Sequence, residues 1–122
     1  MSLGSLPGLY VLPVEVGVAD VIDVYPGRVD VLGGVTDKDS LLDGVASTLE
    51  FPSYFRANWD SFEECLLDLS WLAAGPRVLV LTGASTLAER DPDAWEVALA
   101  IWARAVQVHA RGGTPLHVFL LD

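Results

Sequence analysis

The sequence predicts an α/β layer fold, a small and mostly parallel sheet packed with helices. Three observations lead there. Two runs, RVLVLT at 77–82 and LHVFLL at 116–121, are rich in aliphatic residues, as expected for strands covered on both faces. Stretches with apolar residues at helical spacing lie between the strand-like runs. The resulting order from residue 28, strand, helix, helix, strand, helix, strand, implies crossover connections and parallel pairing.

The elements follow in order. GLYVLPVEV at 8–16 and VADVIDVY at 18–25 are β-prone, with Pro13 interrupting the first and Pro26-Gly27 ending the second. Residues 1–27 are read as an N-terminal β extension, ahead of the main domain at 28–122. RVDVL at 28–32 alternates and is closed by Gly33-Gly34. Asp37 or Asp39 caps a helix of about three turns carrying Leu41, Leu42, Val45 and Leu49. It ends near Phe51, because the residue before Pro52 is driven out of the α region. After a loop of Pro52 to Ala57, Asn58 caps a helix from Trp59 to about Trp71. Residues 83–93 read as a loop with at most a short helical turn. Pro92 then opens a long helix with Trp95, Val97, Ala98, Ile101, Trp102, Ala105 and Val106 on its apolar side. Gly112-Gly113 stops it, with His109 and Arg111 in the last turns, where positive charge suits the helix dipole.

At 122 residues, 52% of them hydrophobic and 20% charged, the chain suits one folded domain. No apolar run is long enough to span a bilayer and no export signal is legible, so a cytoplasmic location is expected. The single cysteine, Cys65, makes no internal disulfide and anchors no Cys-rich metal site. Seventeen acids against seven bases give a net charge of −10. That charge repels nucleic acid and anionic membranes and speeds encounter with a cationic protein.

The acidity concentrates in NWDSFEECLLDL, residues 58–69. On a helix, Trp59, Phe62, Leu66 and Leu69 share the core side, with Cys65 at its margin. Asp60, Glu64 and Asp68 follow at i, i+4 and i+8 on the opposite side, beside Glu63 and Leu67. Like charges at this spacing destabilise a helix by about 0.2–0.5 kcal/mol per pair. No base interleaves them. The first-turn Asp60 is explained by the helix dipole alone, and Glu63 by simple solvation. Glu64 and Asp68 have no such local excuse, and Leu67 is out of place on a purely wet face.

The segment FPSYFRANWDSFEECLLDL, at 51–69, resembles the one that marks the barstar family of intracellular ribonuclease inhibitors. The shared features are Pro52, the aromatic pair Tyr54 and Phe55, Asn58, Asp60, then Glu64 with Cys65-Leu66. The resemblance implies a three-layer barstar-like fold over residues 28–122. It also implies a binding protein, not an enzyme, that plugs the active site of a basic secreted, barnase-like ribonuclease. Tyr54, Asn58, Asp60, Glu63, Glu64, Leu67 and Asp68 would then form the contact face. The family also uses an acid early in the later helix, for which Asp93 is taken from the candidates Asp91, Asp93 and Glu96. Arg56 departs from the pattern by placing a positive charge in the contact loop. Glu64 also reaches one methylene further than an aspartate.

Two other classes compete. One is an acidic immunity or interaction domain of the same fold that binds another cationic protein. The other is a metal-dependent phosphoesterase using the carboxylate stripe, for which the chain offers no basic substrate patch. His109 and His117 have no partner at nucleophile–base spacing. No cofactor and no metal is therefore expected.

Overall fold

The computed structural model describes residues 9–11, 28–73 and 75–121. Four strands, β1 (Leu9–Val11), β2 (Arg28–Leu32), β3 (Arg77–Leu81) and β4 (Leu116–Leu120), form one sheet in the order β1-β4-β3-β2. Every ladder is parallel, with Arg28 opposite Arg77, Leu79 opposite Val118 and Leu9 opposite Val118 on its other side. Every residue of β3 and β4 is buried, whichever face its side chain takes. Helices therefore cover both faces, and the fold is a three-layer α/β fold.

The helices are α1 (Lys38–Thr48), α2 (Trp59–Asp68), α3 (Ala84–Arg90) and α4 (Pro92–Arg111). α1 starts at a capping box in which Ser40 N–H donates to Asp37 and the Ser40 hydroxyl accepts from Asp37 N–H. It ends at Thr48, three residues before the Phe51 that the sequence suggests. Phe51 N–H returns to Ala46 O at 2.8 Å and Glu50 N–H to Ser47 O at 3.4 Å, a Schellman closure with Glu50 at φ 56°. Within α1, Gly44 permits close packing on β2. A Cβ there would stand 2.8 Å from Leu32 Cδ1.

α2 also stops early, at Asp68, because Leu69 adopts φ 50° and turns its fully buried side chain into the core. The segment expected to be loop holds α3, a seven-residue helix capped only by Gly83, which explains its silence in the sequence. α4 begins with Pro92 at its first turn, as expected, and Asp91 is its cap. The core gathers Trp102, Phe62, Phe119, Leu41, Leu66 and Leu79, all less than 2% exposed. Burying each such large apolar side chain stabilises the fold by about 1.5–3 kcal/mol. Of the N-terminal segment, β1 joins the sheet beside β4, while the rest of the expected β extension lies outside the described residues. No helix among the described residues is long and apolar enough to cross a membrane.

Candidate functional site

Aromatic packing fixes the loop before α2. Phe51 meets Phe55 edge-on at 5.2 Å and Trp71 at 5.8 Å, and Trp71 Nε1–H donates to Leu49 O at 2.9 Å. Phe55 N–H closes a turn on Pro52 O, which presents Tyr54 at its tip, 50% exposed. Asn58 has extended dihedrals and its side chain accepts from Ser61 N–H at 2.8 Å, so α2 begins where the sequence places it. The Ser61 hydroxyl in turn accepts from Arg56 N–H at 2.9 Å, which ties the loop to the first helical turn.

On this frame Asp60, Glu64 and Asp68 are all exposed. Neither Asp60 nor Glu64 has a base within ion-pair distance among the described residues. Asp68 Oδ1 accepts weakly from Ser70 N–H at 3.3 Å. Tyr54 reaches across to this stripe. Its hydroxyl meets the Cys65 thiol, and its pKa is pushed up first by partial desolvation, then by Cys65, Asp68 and Glu64. Cys65 is fully buried, not marginal as its helical angle suggests. Burial raises its pKa first and the Glu64 charge raises it further, against hydrogen bonds from Tyr54 and Ser61. It is a neutral thiol that packs.

Glu63 turns the other way. Its Oε1 lies 3.5 Å from Arg104 Nη1 on α4, so one of the four acids on α2 is partly neutralised within the chain. Leu67 is half-buried against the core, which accounts for an apolar side chain beside the charged stripe. Arg56 is exposed.

Among the three acids near the start of α4, Asp91 is occupied structurally. One oxygen accepts from Ala94 N–H at 3.2 Å and the other from Lys38 N–H at 3.0 Å. Asp93 and Glu96 are exposed. Lys38 Nζ also sits 5.5 Å from the Trp59 ring centroid. The N-termini of α1, α2 and α4 therefore meet around Lys38, and the turn bearing Asp93 lies at the end of the molecule that carries Asp60. Lys38 was not legible as part of this arrangement, because its contacts lie 21 and 53 residues away.

The C-terminal end of α2 is held by bases from other elements. His109, 6% exposed, contacts Leu66 O through Nε2 at 2.8 Å. Arg77 Nη2 donates to Leu72 O at 3.4 Å and Ala73 O at 3.1 Å. His109 thus stands in the last turn of its own helix, as its sequence position suggests, and also serves the end of α2. The only hint was negative: α2 has no base in its last turn and no glycine after it.

Among the described residues no three histidine, cysteine, aspartate or glutamate side chains come together as a metal-ligating group. Among curated proteins, none matches the chain. The family model described as Barstar (barnase inhibitor) matches residues 29–121. With most of the 122 residues matched, and with a three-layer parallel fold beneath the match, the chain belongs to the barstar family.

Proposed function

We propose that this chain inhibits a basic secreted ribonuclease by laying the exposed face of α2, and the loop before it, over the enzyme's active site. The observation that carries the reading is the pairing of exposure with lack of compensation at Asp60 and Glu64. A ribonuclease holds phosphates with basic side chains, so exposed surface carboxylates suit the same groups. Tyr54, standing proud of a rigid aromatic loop beside Glu64 and Asp68, supplies an aromatic anchor. Inhibition is occlusion, with no bond made or broken. Asn58 orients the helix, Glu63 is shared with Arg104, and Leu67, Asp68 and Asp93 extend the contact at its edges.

A second reading keeps the face but changes the partner to a cationic protein that is not a ribonuclease. Arg56 favours it, because a positive charge in the contact loop fits poorly against a uniformly basic cleft.

Association with barnase, followed by stopped flow at low and at high salt, separates the two. An inhibitor associates much faster at low ionic strength and silences RNA cleavage in step with binding. Electrostatic steering is already known for the family's own ribonuclease pair, so the expectation is carried over from that pair. Salt-independent association, or binding that leaves cleavage intact, contradicts the proposal.

A further inference from the structure

A cavity of about 320 Å³ opens where the C-terminal end of α2 meets the last turn of α4. Its lining includes Leu67, Leu69 and Val108, of which Leu67 and Val108 keep apolar surface in the open, and two buried bases, Arg77 and His109. The exposed Asp68 stands at its rim. The size is that of a small-molecule site.

Arg77 is the unusual component. It is only 5% exposed, and no carboxylate lies within 4 Å of it among the described residues. Two backbone carbonyls take Nη2, and Nε has no hydrogen-bond partner. Its neighbour across the ladder is Arg28, a like charge, and Arg28 already claims Asp30 at 2.6 Å and Glu50 at 3.1 Å. Burial first, and Arg28 second, lower the Arg77 pKa, yet a guanidinium stays charged. A buried cation with no counter-ion among the described residues is costly, and an anion brought beside it would be strongly favoured.

We propose that the cavity between the ends of α2 and α4 binds the carboxylate of an apolar monocarboxylic acid or peptide terminus, with Arg77 as counter-ion. A carboxylate is the natural counter-ion of a guanidinium. The apolar walls suit a hydrocarbon body behind the charged group. Asp68 at the rim selects against a phosphate dianion, which carries more negative charge past the same carboxylate. His109 is already committed to Leu66 O, so it shapes the cavity and leaves the charge to Arg77.

The test uses the whole ¹⁵N-labelled chain without any ribonuclease, so its outcome is independent of the inhibitory function. Sodium benzoate is titrated while the Arg77 Nε–H and the amides of Leu67 to Ser70 and Thr114 are followed by NMR. The expected result is saturable shifts confined to these groups, with a Kd of about 1 mM or tighter, and weaker binding of inorganic phosphate. Arg77→Met is expected to weaken benzoate by about tenfold or more. Should that variant unfold, Val108→Trp, which fills the mouth from an exposed position, is expected to block binding in an intact fold. A second arm titrates acetyl-Gly-Gly-Phe and its C-terminal amide. Tighter binding of the free acid identifies a protein-borne carboxylate as the source, and saturation by benzoate alone identifies a free acid. Shifts that stay linear with both probes overturn the site. So does phosphate binding equal to benzoate, or benzoate binding that survives Arg77→Met and Val108→Trp.

Discussion

His109 Nε2 lies 2.8 Å from the carbonyl oxygen of Leu66, a contact across 43 residues that fastens the last turn of α2 to α4. A carbonyl only accepts, so Nε2 carries the hydrogen. The candidate binding helix is thus fixed at both ends, by Asn58 at its start and by His109 at its finish.

Replacing His109 with alanine removes that donor and opens a void beneath the helix end. A loss of about 2–4 kcal/mol is expected, from the orphaned carbonyl together with the cavity. Urea unfolding with an unchanged m-value checks it.

The N-terminal restraint is weaker. Asn58→Ala leaves Ser61 N–H without its acceptor and is expected to cost about 1 kcal/mol. Amide exchange in the first turn of α2 should accelerate, while the slowest-exchanging amides of β3 and β4 shift only by the global change in stability.

Arg104 and Glu63 form an exposed pair at 3.5 Å with side chains 63% and 33% exposed. Arg104→Ala should therefore alter stability by no more than about 0.5 kcal/mol. It should also leave α2 more negative, and so raise the association rate with a basic partner at low salt. A rate that falls would place Arg104 itself in the contact.

Burial pushes the His117 imidazole below its ordinary pKa. Above about pH 6.5 the ring is neutral in both states and this contribution to stability is complete. As pH falls below that value the unfolded chain binds the proton first, and stability declines by up to about 1.4 kcal/mol per pH unit until the folded pKa is passed. His117→Leu should flatten the stability profile just below about pH 6.5, as seen in urea midpoints taken at several pH values.

Much of this was legible in sequence because local signals agreed with tertiary need. Asn58, Pro92 and the aliphatic-rich runs at 77–82 and 116–121 each marked an element that the fold contains. The two misplaced helix ends share one cause. α2 ends at Leu69 and α1 closes through Glu50, both in left-handed conformations that glycine usually marks, and neither position is glycine. Gly83 opens α3 without a side-chain cap, so that helix left no signature. At the candidate site, exposure of the i, i+4, i+8 acids followed from helical geometry. The Glu63–Arg104 pair, the capping role of Asp91 and the base-lined end of α2 did not, because each depends on contacts between residues far apart in the chain.

The most direct measurement is paired inhibition and unfolding of the double variant Asp60→Ala with Glu64→Ala. The two carboxylates repel each other one turn apart, and Asp60 gains slightly from the helix dipole, so folding stability should stay within about 0.5 kcal/mol of the parent. Inhibition of a barnase-type ribonuclease should be lost. A folded double variant that inhibits as well as the parent would contradict the assignment of this face, and so would one that unfolds, since the acids would then be holding the domain together.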